Sequence, residues 1–248
     1  MITRTTNNDA VMEYLERDRY TNLNILGHLK NNRDAGVYLY DDDLQNGVIV
    51  GGEELDFFFL GSSNPDFLNE FWDMLPPGHK CFSGAPKHIA RVIQKDRKVE
   101  WENPCKVFAL KGEFKRTEDA RYCCESLTEA DAEEVDKYYT YRSDHSLLRI
   151  RDNIARYDSS CIRVDGQLAS WCAIHAEDSS MGPQYTKEEF RGLGMAAVVT
   201  SWLMEKLIAR DITPFVQIIE HNSIPLHAIT KLCGMEYTHD CAWFGIVR

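Results

Sequence analysis

Positive charge is scarce in this sequence, and it contains no long uninterrupted apolar run. The 28 lysines and arginines are outnumbered by 39 aspartates and glutamates, which gives a formal net charge of -11 at pH 7. Because proteins bind phosphate backbones largely through Lys and Arg, this balance disfavours nucleic acid as a partner. No apolar run approaches the roughly 18 residues that span a bilayer, and residues 1–8 lack the apolar core of a signal peptide. We therefore expect a cytoplasmic protein with no membrane partner.

The cysteine and histidine spacings that are typical of metal sites are also missing. The eight cysteines show no repeated C-x-x-C spacing and stand mostly within apolar runs, which is typical of buried, reduced thiols. The eight histidines are scattered along the chain. His221 and His227 do not have the i, i+4 spacing of a helical metal pair. We therefore expect no metal site.

The length of the chain allows one large domain or two smaller ones. With 248 residues, of which 44% are hydrophobic, it can bury a full core. Apolar periodicity stops in the polar segment from Lys111 to Asp119, so this segment is the best candidate boundary. We expect two domains, formed by residues 1–112 and 121–248.

Local patterns in the second half predict several defined elements. Thr128 and Asp131 have the spacing of a weak capping box at the start of a helix. The pair Asp165-Gly166 suits a tight hairpin turn between two strand-like runs, since both residues tolerate positive φ. A further strand is predicted from Phe215 to Ile219.

The run from Tyr185 to Ala196 is the most informative part of the sequence. Gly192 and Gly194 let the backbone approach a ligand closely, and Arg191 adds a fixed positive charge. Apolar residues then recur at the spacing of one helix face, at Val199, Trp202, Leu203, Leu207 and Ile208. The N–H groups of the first helical turn lack partners inside the helix, so a pyrophosphate could satisfy them.

Two other interpretations of this run are open. Gly192-x-Gly194-x-x-Ala197 fits the dinucleotide fingerprint of a nicotinamide-dependent enzyme, but that fingerprint requires a buried strand directly before it. The charged residues 187–191 do not form such a strand. The second alternative is a surface turn that only caps the helix.

Arg191-x-x-Gly194-x-Ala196 resembles the (Arg/Gln)-x-x-Gly-x-(Gly/Ala) acyl-CoA loop of the GNAT superfamily of N-acetyltransferases. Further pieces resemble the glycine N-acyltransferase branch of that superfamily, and they occur in the expected order. They are Ser160-Cys161, Trp171, Glu189-Phe190-Arg191-Gly192, Thr213-Pro214-Phe215 and Asn222. The N-terminal half has a compatible element order but no phosphate loop, so we interpret it as a degenerate GNAT-like copy or an accessory domain.

The resemblance implies an α/β (α+β) fold, with a mixed, mostly antiparallel sheet flanked by helices. It implies transfer of an acyl group, most simply acetyl, from acetyl-CoA or another acyl-CoA to the amine of a small molecule or amino acid. Transfer would be direct, within a ternary complex, and the protein would be a monomer or homodimer. The implied cofactor-binding residues are Tyr185, Thr186, Arg191, Gly192, Leu193, Gly194, Met195, Ala196 and Asn222. For Asn222, an N-cap of the following helix is the alternative.

The acceptor ammonium must lose a proton before it attacks, so a base is needed near it. The family's proposed glutamate position falls on Ser180, which cannot act as a base at neutral pH. Glu177 and Asp178 lie within three residues and are the candidates, with His175 as a further one. The alternative for Glu177 and Asp178 is a solvated hairpin end.

The family's tyrosine acid falls on Ile229, for which His227 or Tyr237 could substitute. A register shift near Cys233 could bring its thiol towards the thioester, although an inert buried thiol is the favoured interpretation. The altered base and acid positions keep an alternative function open. The protein could bind CoA as a sensor or scaffold, with little or no catalytic activity.

Overall fold

A computed structural model describes residues 1–51, 57–222 and 228–248. The α-helices of these residues are α1 (Asn8–Glu16), α2 (Leu23–Asn31), α3 (Pro65–Met74), α4 (Lys87–Gln94), α5 (Ala132–Lys137), α6 (Ser146–Arg156) and α7 (Met195–Ala209). The strands are β1 (Ile2–Thr5), β2 (Gly36–Tyr40), β3 (Asp43–Gly51), β4 (Phe57–Gly61), β5 (His79–Pro86), β6 (Val99–Ala109), β7 (Cys124–Glu125), β8 (Ser160–Val164), β9 (Gln167–Ile174), β10 (Met181–Thr186), β11 (Phe215–Ile219) and β12 (Glu236–Val247). Short 3-10 turns cover Glu129–Asp131 and Glu188–Phe190, and a π-helical turn covers Ala228–Leu232.

The described chain divides into two compact units. Residues 1–51, 57–107, 217–222 and 237–248 form the first unit, and residues 108–216 and 228–236 form the second. One sheet has the strand order β1-β2-β3-β4-β5-β12-β6-β11, and the other has the order β10-β9-β8-β7. Strands β4 and β5 pair in parallel, whereas the pairs β1–β2, β2–β3, β3–β4, β5–β12 and all pairs of the smaller sheet are antiparallel. The expected mixed, mostly antiparallel sheet with flanking helices is confirmed.

Both faces of the larger sheet are covered by helices in the first unit. Side chains alternate across a strand, so Phe58 of β4 joins the cluster under α3 and α4, while Phe59 joins the cluster under α1 and α2. The last strand, β12, also belongs to this unit. Its Phe244 stacks on Phe82 of β5 with ring centroids 4.9 Å apart. The sequence placed this strand within the segment 121–248.

In the first unit, a side chain occupies backbone N–H groups at a helix N-terminus, where a phosphate loop would leave such groups free. Helix α3 is N-capped by Asn64, whose side chain accepts hydrogen bonds from the backbone N–H groups of Asp66 and Phe67. This cap agrees with the lack of a phosphate-loop sequence in this half.

The second unit contains the hairpin and the capping box that the sequence predicts. Asp165 and Gly166 adopt φ of 50° and 78° in the turn between β8 and β9. Thr128 and Asp131 form both bonds of the capping box, at the start of a 3-10 turn that continues into α5. Helix α7 packs on β8, β9 and β10, and the hydroxyl of Ser160 donates to the carbonyl oxygen of Val199 at 2.6 Å.

Candidate functional site

The predicted phosphate turn ends where helix α7 begins. Gly192 and Gly194 adopt φ of 76° and 85°, in the left-handed region that favours glycine. A Cβ at either position would meet nothing within 4 Å, so their backbone conformation, and not crowding, calls for glycine. Gly194 is the N-cap of a helix of 15 residues, which confirms the predicted helix.

The turn presents a row of free backbone donors. In the part of the chain that the structure describes, the N–H groups of residues 192–196 donate to no protein acceptor. The first helical bonds are donated by Ala197 and Val198, both to the carbonyl oxygen of Gly194. Free N–H groups at the positive end of a helix dipole favour an anion, so the turn has the chemistry of a phosphate site.

Arg191 connects this turn to strand β10. Its Nε donates to the carbonyl oxygen of Thr186 at 3.2 Å, and its Nη2 donates to the hydroxyl of Tyr185 at 3.2 Å. It also forms an ion pair with Glu188 at 3.4 Å. The guanidinium therefore fixes the turn against the strand that precedes it.

Strand β10 is bulged and lies at an end of its sheet. Its register with β9 shifts between Met181 and Gln184, where the Gly182-Pro183 peptide is cis. The side-chain amide of Gln184 donates to the carbonyl oxygen of Ala196 at 3.2 Å and to the hydroxyl of Thr200 at 2.6 Å. These two bonds fix the strand to α7. As the end strand, β10 pairs with β9 along one edge only within this four-stranded sheet.

The side chains of the two residues that end β10 are held within the second unit. The Tyr185 ring stacks on Tyr138 at 4.7 Å and lies 5.3 Å from the Trp171 ring. The hydroxyls of Thr186 and Ser170 lie 2.8 Å apart. Both side chains are therefore engaged by the protein.

Asp178 lies at the opposite end of β10 from the phosphate turn. It is fully buried, and its Oδ1 accepts a hydrogen bond of 2.9 Å from the backbone N–H of Ser180. Burial raises the pKa of Asp178 to about 6, although His175 and the bonds from Ser180 act against the rise. The alternative of a solvated hairpin end is therefore wrong for Asp178. A carboxyl with this pKa is mostly ionised at pH 7 and can still accept a proton.

Glu177 and Tyr139 form a second titratable pair near this end of the strand. Glu177 is half-buried. Burial, followed by the charge of Glu177, raises the pKa of the Tyr139 hydroxyl. The Tyr139 ring also makes an edge contact with Tyr141, at 6.0 Å. The sequence analysis missed Tyr139, whose signal was an aromatic run inside an otherwise polar segment.

The structure brings together only some of the site residues that the sequence analysis predicts. Within the second unit, Arg191 contacts both Tyr185 and Thr186, and residues 191–194 are exposed, whereas Met195 is buried. Asn222 is exposed, and its backbone N–H donates to the carbonyl oxygen of Ile219. Asn222 and Tyr237 both belong to the first unit. His227 lies outside the described residues, and Ile229, at the family's acid position, is fully buried.

The cysteines differ in part from the expectation. All eight are free thiols, and five of them are buried, but Cys123, which directly precedes β7, is exposed. The buried Cys233 contacts the carbonyl oxygen of Ala197 at 3.8 Å. Burial raises the pKa of Cys233 to about 12, so the thiol stays protonated and inert at neutral pH.

Within residues 1–51, 57–222 and 228–248, no group of three or more His, Cys, Asp and Glu side chains could hold a metal ion. No helix in the same ranges has both the length and the apolar character needed to cross a bilayer.

Comparison with known proteins finds a family match in the second half of the chain. Residues 161–244 match the model of the FR47-like protein family. This segment contains the phosphate turn, strand β10 and Asp178. A comparison with curated proteins gives no significant match.

Solved structures with a similar fold include several acetyltransferases. A Drosophila protein matches with a TM-score of 0.80 at 14% identity, over 99% of this chain and 98% of that chain. A putative GNAT-family acetyltransferase from Novosphingobium aromaticivorans matches with a TM-score of 0.55 at 14% identity, over 91% of this chain and 96% of that chain. A putative acetyltransferase from Pyrococcus horikoshii matches with a TM-score of 0.57 at 12% identity, over 100% of this chain and 89% of that chain. The chain therefore shares its fold with GNAT acetyltransferases.

Proposed function

We propose that this protein is an acyl-CoA-dependent N-acyltransferase that acts on the amine of a small molecule or amino acid, with acetyl-CoA as the simplest donor. One observation carries the proposal. A turn with free N–H donors and a buried carboxyl with a pKa of about 6 lie at opposite ends of the same bulged strand, β10. The FR47-like match over this segment supports it.

The donor would bind along β10. The N–H groups of residues 192–196 would hold the pyrophosphate, since they have no protein acceptor among the described residues. The pantetheine arm would pair with main-chain groups of Tyr185 and Thr186, as an extra strand pairs with a sheet edge. This direction leads the thioester away from α7, towards the bulge between Met181 and Gln184.

The acceptor would be deprotonated near the Asp178 end of the strand. A simple ammonium has a pKa of about 10, so it must transfer a proton before its nitrogen can attack. The Asp178 carboxylate accepts that proton, directly or through water, and Glu177 is the second candidate. The amine nitrogen then bonds to the thioester carbonyl carbon, and the carbon–sulfur bond breaks.

Stabilisation of the oxyanion and departure of CoA require no dedicated side chain. A backbone N–H at the bulge would stabilise the oxyanion that forms on the thioester oxygen. CoA leaves as a thiolate, and a free thiol has a pKa of about 8.5, so no dedicated general acid is required. This agrees with the presence of Ile229 at the family's acid position.

Thermal unfolding with acetyl-CoA, longer acyl-CoAs, free CoA and NADH tests the proposal first. A ligand that binds only the folded state raises the melting temperature, by an amount equivalent to about 2.7 kcal/mol at 100 times its Kd. We expect stabilisation by CoA compounds and none by NADH. Stabilisation by NADH alone, or by no ligand, would contradict the proposal.

Release of free CoA during an amine screen then separates an enzyme from a protein that only binds CoA. We expect thiol release that depends on the added amine. Stabilisation by CoA without thiol release for any amine would favour the sensor or scaffold, for which Ser180 and Ile229 are the structural argument.

A further inference from the structure

The polar segment that the sequence marks as a domain boundary lies along helix α7 in the second unit. The backbone N–H of Thr117 donates to the hydroxyl of Ser201 at 2.7 Å, and Ser201 is fully buried. The guanidinium of Arg116 contacts Glu205 at 2.7 Å. From these contacts the segment continues along the helix towards its N-terminus.

At the N-terminus of α7, two residues that follow this segment, Arg121 and Tyr122, hold one carbonyl group of the predicted phosphate turn. The Tyr122 hydroxyl donates to the carbonyl oxygen of Leu193 at 2.9 Å, across 71 positions in sequence. Arg121 donates to the same oxygen through Nη2, at 3.4 Å. The Arg121 guanidinium also lies over the Tyr122 ring, 5.0 Å from its centroid.

Arg121 is itself fixed in place by a carboxylate. Its Nε and Nη2 donate to Asp119 at 2.9 and 2.6 Å. These bonds lower the pKa of Asp119 to about 2, so the ion pair persists throughout the physiological pH range. The Leu193 carbonyl is therefore bound by the side chains of both Arg121 and Tyr122.

Fixing this carbonyl also fixes the next N–H group. In a trans peptide the C=O and the following N–H point in opposite directions. The Leu193–Gly194 peptide is trans. The Tyr122 bond therefore aims the Gly194 N–H away from Tyr122. Glycine has wide backbone freedom, so this peptide would otherwise sample other orientations.

We propose that Tyr122 is a positioning residue for donor binding, because its bond to the Leu193 carbonyl orients the Gly194 N–H towards the pyrophosphate of acyl-CoA. The inference rests on the proposed function. Tyr122 itself touches no reacting atom. It reduces the reorganisation that the turn would need when the anion binds.

The test compares Tyr122→Phe with a matched control. The variant removes only the hydroxyl, and Tyr157→Phe removes the hydroxyl of another half-exposed tyrosine of the second unit. We expect Tyr122→Phe to raise the Kd for acetyl-CoA about fivefold, because the turn must then be ordered when the anion binds, and Tyr157→Phe to leave it unchanged. Arg121→Gln, which removes the longer bond, should raise the Kd by a smaller factor.

Hydrogen exchange of the Gly194 amide, followed by NMR, provides a readout that a purely structural role would not change. In the unsubstituted protein, CoA should slow this exchange, and in Tyr122→Phe the slowing should be largely lost although the protein remains folded. If Tyr122→Phe changes neither the Kd nor the slowing of Gly194 amide exchange by CoA, the positioning role of Tyr122 is wrong and the proposed function is unaffected. Absence of CoA binding by the unsubstituted protein would instead overturn the proposed function.

Discussion

Asp178 is a carboxyl group whose acidity is changed by its surroundings. Its side chain has no exposure to solvent, and burial is the largest contribution to its raised pKa of about 6. Ser180, which the sequence resemblance places at the base position of GNAT enzymes, contributes the backbone N–H that donates to Asp178. The presence of an aspartate in the sequence could not reveal this raised pKa, because the pKa depends on burial.

Asp178→Asn should abolish most turnover while leaving CoA binding intact. The amide cannot accept a proton, and general-base contributions are typically about 100- to 10,000-fold. In the unsubstituted protein the rate should rise with pH through about 6 and then level, because the carboxylate, the active form, is present above its pKa. The pH profile of kcat with a responsive amine checks this.

Asp165→Asn, at the exposed hairpin turn, is the control for this substitution. If Asp178→Asn keeps its turnover and Glu177→Gln loses it, Glu177 is the base and the assignment to Asp178 is wrong.

Gly194→Ala should weaken acetyl-CoA binding as well as stability. A left-handed conformation costs a residue with a Cβ about 1–2 kcal/mol, and relief of that strain would move the N–H groups of the turn. Gly166→Ala is the matched control, because Gly166 has a similar φ of 78° and an equally open surrounding in a hairpin turn. Melting temperature and Kd for acetyl-CoA are the measurements. Equal Kd values in the two variants would count against the turn as the phosphate site.

At the scale of elements, α5 depends on a start signal that is visible in the sequence. The backbone N–H and the hydroxyl of Thr128 both donate to Asp131, at 2.8 and 2.9 Å. Arg163 of β8 also contacts Asp131, at 2.7 Å. The cap therefore joins the beginning of the helical region to the sheet of the second unit.

Thr128→Ala should lower the free energy of unfolding by about 1 kcal/mol, the usual effect of losing an N-cap side chain. Thr140→Ala, at an exposed threonine, should change it by a few tenths at most. Urea unfolding curves of both variants give the comparison. If the two variants are equally stable, the capping bonds contribute nothing measurable.

Strand β10 shows how one element can organise a site. Its bulge, its bonds to α7 through Gln184 and its contact with Arg191 connect the buried carboxyl end to the phosphate turn. The sequence did not reveal the bulge, because the register shift depends on pairing with β9.

At the scale of the whole molecule, the first unit needs the end of the chain. Strand β12 lies between β5 and β6 in the strand order. Its buried residues Ala242, Phe244 and Ile246 belong to the same cluster as α3 and α4. Without β12, both neighbouring strands would lose a hydrogen-bonding partner and part of their core.

A fragment of residues 1–112, the first domain expected from the sequence, should therefore fail to fold alone. We expect a disordered circular dichroism spectrum and rapid proteolysis. Addition of a peptide covering residues 236–248 should restore structure, since it supplies the missing strand. A fragment that folds cooperatively without the peptide would show that the first unit does not depend on β12.

The sequence by itself determined the signals that act over a few residues. Turn chemistry at Asp165-Gly166, the cap at Thr128 and the glycines before α7 depend on backbone freedom and local hydrogen bonds, so their residue types suffice to predict them. The turn at Gly192 and Gly194 and the helix that follows it were predicted in this way. Only the tertiary structure decided the burial of Asp178, the position of Tyr122 beside Leu193 and the pairing of β12 with β5. These features depend on contacts between residues far apart in the chain, and no local pattern specifies which distant segments meet.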